Sequence, residues 1–437
     1  MSGRVATPVL LALFCLAGCS LFETKKQPLP GERISVLTLD RQLTPDPALA
    51  NIPIALPRPA VNQDWPEPGG TPDHAMQHPA LPAKLNQAWR VSVGEGSSRY
   101  GRVLAQPVVA GGRVYAMDGG VKVGAYAAAD GSTLWQVDLR PKGDLGNAFG
   151  GGVAFAKDRL YVTTGYGQVA ALDPASGKVI WRVKVGAPVH SGPTVADGRV
   201  FVVTVENELS ALDAADGHKL WVHAGLPQAA SLLGGASPAV GGEVIIAPFS
   251  SGELDALEVE NGRPLWSDNL ASARSVDAVA ALADIRGRPV IDRGRILAAS
   301  HSGRMAAIDL RGGERAWEHE IGSDHGPWVA GEYVYVLTTD QNLLCLTRDD
   351  GKVRWLRRLP RYVDGKKHED PIEWAGPVLG GDRLILVSSD GWALSVSPYT
   401  GAPLGRQEMP APGYLGPVIA DNTLYVLTDD AQLTAFR

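Results

Sequence analysis

"ALDPASGKVIW", residues 171–181, sets an apolar strand against a turn and a second strand that ends on tryptophan. The chain repeats the phrase. "AYAAADGSTLW" begins at Ala125, "ALDAADGHKLW" at Ala211, "ALEVENGRPLW" at Ala256, "AIDLRGGERAW" at Ala307 and "CLTRDDGKVRW" at Cys345. Glycine recurs six places after the first residue, at Gly131, Gly177, Gly217, Gly262, Gly313, Gly351 and, in a seventh copy, Gly401. Tryptophan follows four places later, at Trp135, Trp181, Trp221, Trp266, Trp317 and Trp355; the seventh copy has Gly405 instead. Asp-Gly or Asn-Gly between apolar runs marks a hairpin, because glycine accepts positive φ without steric cost.

A second signal lies upstream. Pro107, Pro193, Pro238, Pro289 and Pro327 each precede their Trp by 28 residues, and Pro377 precedes Gly405 by the same 28. The second copy has Val153 at this point. Another strand pair, such as "TVADGRVFVVTV" at 194–205, fills the interval. Each unit therefore reads as four short strands with a period of about 44 residues, the signature of a propeller blade. The apolar alternation has period two, which excludes a helical solenoid.

Seven copies are nearly complete. An eighth runs from Gly416 to Arg437 and stops before its last strand. "NQAWRVSV", residues 86–93, has a tryptophan but no blade of its own. The expected fold is all-β: an eight-bladed β-propeller over residues 84–437, in which Trp89 supplies the outer strand of the last blade. Closing the ring this way removes two exposed sheet edges. The seven tryptophans, Trp89 included, are expected to fill the gaps between neighbouring blades.

The first residues read as a targeting segment. Arg4 precedes an apolar run, Val9 to Leu16, which is too short to span a bilayer. Residues 1–18 are thus expected to be a signal peptide. "LAGCS", residues 16–20, resembles a bacterial lipobox, which implies a lipidated Cys19 as the mature N-terminus. An ordinary signal peptide with an incidental cysteine is the alternative. Ser20, in place of an inner-membrane-retaining Asp, implies the outer membrane. Of the remaining cysteines only Cys345 would persist, as a buried small hydrophobe. Residues 19–83 carry twelve prolines between Ser20 and Pro82 and read as an extended tether. Within it, "WPEPGG" at 65–70 reads as a turn or polyproline segment. The net charge of −6 argues against a nucleic-acid surface, which would need a basic stripe.

Catalytic patterns are weak. "HAMQH" places His74 and His78 four apart without the Glu of a zinc protease helix. "KKHED", residues 366–370, reads as a solvated loop. "NAFGGG", residues 147–152, lacks the Lys-Ser/Thr of a phosphate loop. His301 and Asp309 share a blade, but no serine stands in a recognisable setting.

The Ala…Gly…Trp blades resemble the pyrroloquinoline-quinone dehydrogenase-like propellers over residues 84–437. That resemblance would imply calcium, a catalytic Asp and an adjacent cysteine pair. The chain has no adjacent cysteines, and no carboxylate cluster for calcium is apparent. No cofactor is expected. Lipobox, tether and propeller together resemble the BamB-type lipoproteins, scaffold subunits of the outer-membrane β-barrel assembly machinery. This implies a non-catalytic protein facing the periplasm. It would bind the periplasmic repeat domains of the central barrel subunit and assist unfolded outer-membrane clients. A propeller for another cell-envelope partner, or a quinoprotein, are the other readings.

The family's contacts lie just before blades four and five. In the first place its pattern is Leu-x-Leu-Arg; here "SLLGGASP" offers Leu232 and Leu233 but no Arg. In the second it is Asp-Val-Asp; here "ADIRGRP" offers Asp284, with Arg286 in place of the second Asp. The four residues are expected to form one patch, with the two exposed charges contributing little to stability; core positions for Leu232 and Leu233 are the alternative.

Cys19→Ala should leave an unprocessed or soluble protein that no longer fractionates with the outer membrane. Labelling with a radioactive fatty acid measures this directly, and retained lipid linkage would refute the lipobox.

Overall fold

The first residue of the repeated phrase lies directly across the sheet from the tryptophan that ends it. In the computed structural model, which describes residues 43–99, 101–143, 149–228, 230–272 and 282–437, Ala125 pairs with Trp135, Ala171 with Trp181 and Cys345 with Trp355. A small side chain leaves room for the indole beside it. Each phrase is thus the third and fourth strand of a four-stranded antiparallel blade. Blade one comprises Val108–Ala110, Arg113–Met117, Lys122–Ala127 and Thr133–Asp138. Blades two to seven repeat it, with innermost strands starting at Gly151, Thr194, Ala239, Val290, Trp328 and Trp374.

Blade eight is shared between the termini, and the eight-bladed propeller is closed as expected. Val418–Ala420, Thr423–Leu427 and Gln432–Phe436 are joined by Gln87–Ser92 on the outside. Trp89 sits opposite Ala435, and Asn86 and Arg437 exchange backbone hydrogen bonds of 2.7 and 2.9 Å.

The tryptophans clasp one blade to the next. Each indole N–H donates to a carbonyl three residues before the glycine of the following blade. Trp89 reaches Ala128, Trp135 reaches Pro174 and Trp181 reaches Ala214, at 3.0, 2.9 and 3.2 Å. Trp221, Trp266, Trp317 and Trp355 continue the series onto Val259, Leu310, Arg348 and Pro398. The glycines are the seats. All seven have φ between +67° and +80°, and a Cβ on any of them would lie 2.5–2.7 Å from the preceding blade's Trp ring. Glycine is therefore required twice over, for the left-handed turn and for the ring above it. Gly405 interrupts the series for a reason. The next blade is blade eight, where the chain termini replace the glycine turn, so a tryptophan at 405 would have no seat.

Residues 44–83 do not behave as the loosely packed tether expected from their composition. They run around the ring and bond to every blade. Asp46 N–H donates to Val353 O in blade six, and Asp421 N–H in blade eight donates to Asn62 O. Trp65 and Val109 exchange two bonds in blade one, after which Phe155, Val195, Val240 and Ile291 donate N–H to Pro66 O, Glu67 Oε1, Pro72 O and Asp73 O. Those donors all lie 26 residues before their blade's Trp. They belong to the innermost strands, whose inner edges have no further strand to pair with. The strap goes on past Gln77 at blade six and Pro79 at blade seven before entering the closing strand. Trp65 is 1% exposed and stacks on Trp328 at 6.1 Å. The physical reason for the correction is that unpaired inner edges need partners, and a proline-rich segment can supply carbonyls. Cys19, with all of residues 1–42, lies outside the described residues.

Gly217→Ala and Gly198→Ala separate the two roles of glycine. Gly198 has φ +76° and nothing near its missing Cβ, whereas Gly217 has φ +80° and the Trp181 ring. Gly198→Ala should cost about 1–2 kcal/mol in urea unfolding, and Gly217→Ala about 1–3 kcal/mol more. Equal costs would remove the seat from the explanation.

Candidate functional site

Strand direction alternates within a blade, so the connections between blades emerge on one face and the glycine turns on the other. The strap lies toward the first turn of each blade. The face of the inter-blade connections is left open, and the sequence-predicted partner residues are on it. The connection from blade three to blade four carries Leu233, 39% exposed, and Leu226, 57% exposed. Leu226 was not singled out from sequence. It is held by backbone bonds to the Glu253 carboxylate and the Asn207 amide. The connection from blade four to blade five carries Asp284 and Arg286; its residues 273–281 are not described.

The structure brings the four predicted residues together and gives them different jobs. Leu232 is partly buried, and its backbone N–H donates to Asp284 Oδ1 at 2.9 Å. Asp284 is 5% exposed, and its other oxygen is buried without a partner. It ties one connection to the next and presents no charge to solvent, which corrects the expectation of an exposed orienting group. Burial raises its carboxyl above the usual range, against the Leu232 hydrogen bond. Arg286 does reach the surface. Its guanidinium lies against Gly234 and 4.0 Å from Asp324 Oδ2.

Asp324 joins the third connection to this cluster. It accepts from His301 Nδ1 at 2.8 Å. Burial opposes the Asp324 carboxylate, but the hydrogen bond and charge of His301, with Arg286, hold it below the usual range. The same bond outweighs burial and raises the His301 imidazole. The partner of His301 is thus Asp324, and not the Asp309 of its own blade. Sequence reading missed Asp324 because it lies on the connection after blade five and belongs to no recognisable motif.

The other candidates resolve into structural roles. His74 and His78 point to separate carbonyls, Pro289 O and Pro57 O, each at 2.7 Å from Nδ1. Burial, aided by the Arg288 charge, lowers His74 to about 3, so it is a neutral part of the strap. Lys366–Asp370 falls in and around the hairpin formed by Tyr362–Asp364 and Glu369–Pro371, and its residues are exposed. Residues 147 and 148 of the glycine-rich stretch are not described. Asp213, Asp216 and His218 stand close enough to share a cation but lie on an open turn.

The central channel does not fit a quinone with calcium. Residues 65–74 cross its mouth, and Asp324 is the one carboxylate on the wall above them among the described residues. Calcium takes about six to eight oxygens, several of them from carboxylates.

Comparison with known proteins now bears on this geometry. A model of the family described as outer membrane protein assembly factor BamB matches residues 119–357. The protein of that name from Salmonella typhimurium is 32% identical over 81% of this chain and 91% of its own length. The crystal structure of BamB from Moraxella catarrhalis superposes with a TM-score of 0.69 at 21% identity, covering 81% of this chain and all of that one. Quinohemoprotein alcohol dehydrogenase from Comamonas testosteroni gives 0.66 at 15% identity, over 86% and 81%. At such identities the two structures show the shared propeller fold.

The Asp284 tie makes a prediction of definite sign. A carboxyl raised by burial favours the fold most below its ordinary range and loses that contribution as pH rises through its folded value. Asp284→Asn keeps an acceptor for Leu232 N–H without the charge. It should match the parent in acid and equal or exceed its stability at neutral pH. Asp284→Ala should cost about 1–3 kcal/mol through the orphaned N–H. Urea unfolding across pH tests both, and an Asn variant that weakens toward neutrality would contradict the buried-charge account.

Proposed function

The chain belongs to the BamB family of outer membrane protein assembly factors, and from that premise we propose that it is a scaffold of the outer-membrane β-barrel assembly machinery. It binds the periplasmic repeat domains of the central barrel subunit and helps deliver unfolded outer-membrane proteins. It is held at the outer membrane by lipid on Cys19 and faces the periplasm.

The observation that carries the contact is the pair of tied connections before blades four and five. Asp284 fixes the Leu232 backbone, which holds Leu233 outward on the same face as Arg286. An apolar anchor beside a partly exposed guanidinium suits a moderate protein interface, in which a few residues carry most of the energy. The fixed backbone reduces the ordering cost that a loose loop would add on binding. Leu226, on the same connection, extends the apolar ground. A role without turnover is supported by the strap across the channel mouth and by a wall on which Asp324 is the one carboxylate among the described residues, fewer than a calcium site would use.

Leu233→Asp combined with Arg286→Glu should weaken binding to the barrel subunit's periplasmic domains by about 1–3 kcal/mol. Stability should change by no more than about 0.5 kcal/mol, since neither side chain is core. Calorimetric titration with the purified domains measures the first and urea unfolding the second. A folded double variant with unchanged affinity would place the interface elsewhere. In-cell photo-crosslinking from position 233 provides the independent check, and capture of another envelope protein in place of the barrel subunit would favour a different partner.

A further inference from the structure

The residue just before each blade's proline position sits at the neck of the central channel. Around the ring these residues are Gly152, Gly192, Ser237, Gly326, Gly376 and Gly416, all small, with two exceptions: Gln106 in blade one and Arg288 in blade five. The small residues keep the neck clear. Arg288 projects into the space they leave. Above it lies a cup of about 140 Å³, floored by Pro68 of the strap and open on the face of the inter-blade connections. Below it a cavity of about 70 Å³ lies against Gly69, His74 and Trp328, and Arg288 lines both.

The guanidinium has five N–H donors. Among the described residues its one hydrogen-bond partner is the neutral Gln106 Oε1, at 3.3 Å, which also accepts from Gly69 N–H. No described carboxylate comes within ion-pairing distance of it. Two other sheltered arginines of the fold do meet carboxylates. Arg348 meets Asp292 at 2.6 Å, and Arg315 meets Asp268 at 2.7 Å. Asp324, on the wall of the cup, is already engaged by His301 and Arg286. His190 and His325 complete the wall as neutral rings, lowered by burial, His325 to about 4. Burial lowers Arg288 only to about 10, so it stays charged at neutral pH. Arg288 is partly buried; two guanidinium groups thus face one committed carboxylate, and a partly desolvated cation without a counter-charge is costly.

We propose that the cup binds a single oxyanion, a carboxylate or a phosphate, seated against Arg288. The space admits a small free anion or the tip of an acidic side chain, and the guanidinium fork offers either a two-point contact. This inference does not rest on the barrel-subunit interface.

The test is an amide NMR titration of the full-length soluble domain with inorganic phosphate, with acetate, and with an N-acetylated Gly-Asp-Gly amide. Saturable shifts are expected at Gly69, Gln106 and Gly416. Tighter saturation by the free ions would identify a solute as the ligand, and tighter saturation by the peptide an acidic side chain. Arg288→Gln should weaken the preferred ligand about tenfold or more, and Arg288→Lys less. If the Gln variant does not fold, the parent titration still decides. Shifts that never saturate, or that map only to surface lysines, overturn the proposal, as does an Arg288→Gln variant that binds equally well.

Discussion

A tryptophan ring resting on the glycine of the next blade is the contact from which the propeller follows. A four-stranded sheet of this size cannot bury both faces alone, and it gains stability only when its neighbours cover it. The clasp makes that covering specific. The indole packs against the neighbour, its N–H takes up a turn carbonyl, and the glycine admits it. In five blades the ring also tilts against an aromatic of its own sheet, with centroids 5.8–6.1 Å apart. Truncating such a tryptophan typically costs about 3–5 kcal/mol, a large fraction of a domain's stability. Gly405 shows the same rule from the other side, since tryptophan and seat are absent together.

The clasps bind blades side by side but leave the inner edges of the sheets facing the channel. The strap answers this, and its composition suits the task. Pro66 and Pro72 have no N–H to leave unsatisfied, and each offers its carbonyl to one blade. A regular strand could not do this, because eight edges arranged about an axis present donors in no common register. Glu67 substitutes a side-chain oxygen where the backbone does not serve. Its other oxygen is buried without a partner, and burial raises the carboxyl well above its ordinary range.

This division explains what could be read from the sequence. The blades were legible because Gly and Trp recur at fixed spacing and each pair is a local event repeated. Ring closure was legible because Trp89 was left over at one end and a strand was missing at the other. The strap was not, since its bonds run to all eight blades and leave no periodicity in its own residues. Asp284 could be placed on its connection, but its inward turn depends on Leu232, some fifty residues away. Arg288 was visible in principle as the one charged residue in a column of small ones, a comparison that needs the blades aligned on their prolines.

The closing strand also imposes an order in time. Residues 87–92 are made early, yet their partners, 432–436, are nearly the last residues of the chain. Until those arrive, blade eight has no outer clasp and blade one's glycine seat stands empty. Contacts so distant in sequence are slow to form. A chain of this design therefore passes through a stage with an open ring and an unpaired sheet edge, the condition most exposed to wrong association. Loss of only the last few residues would make that stage permanent.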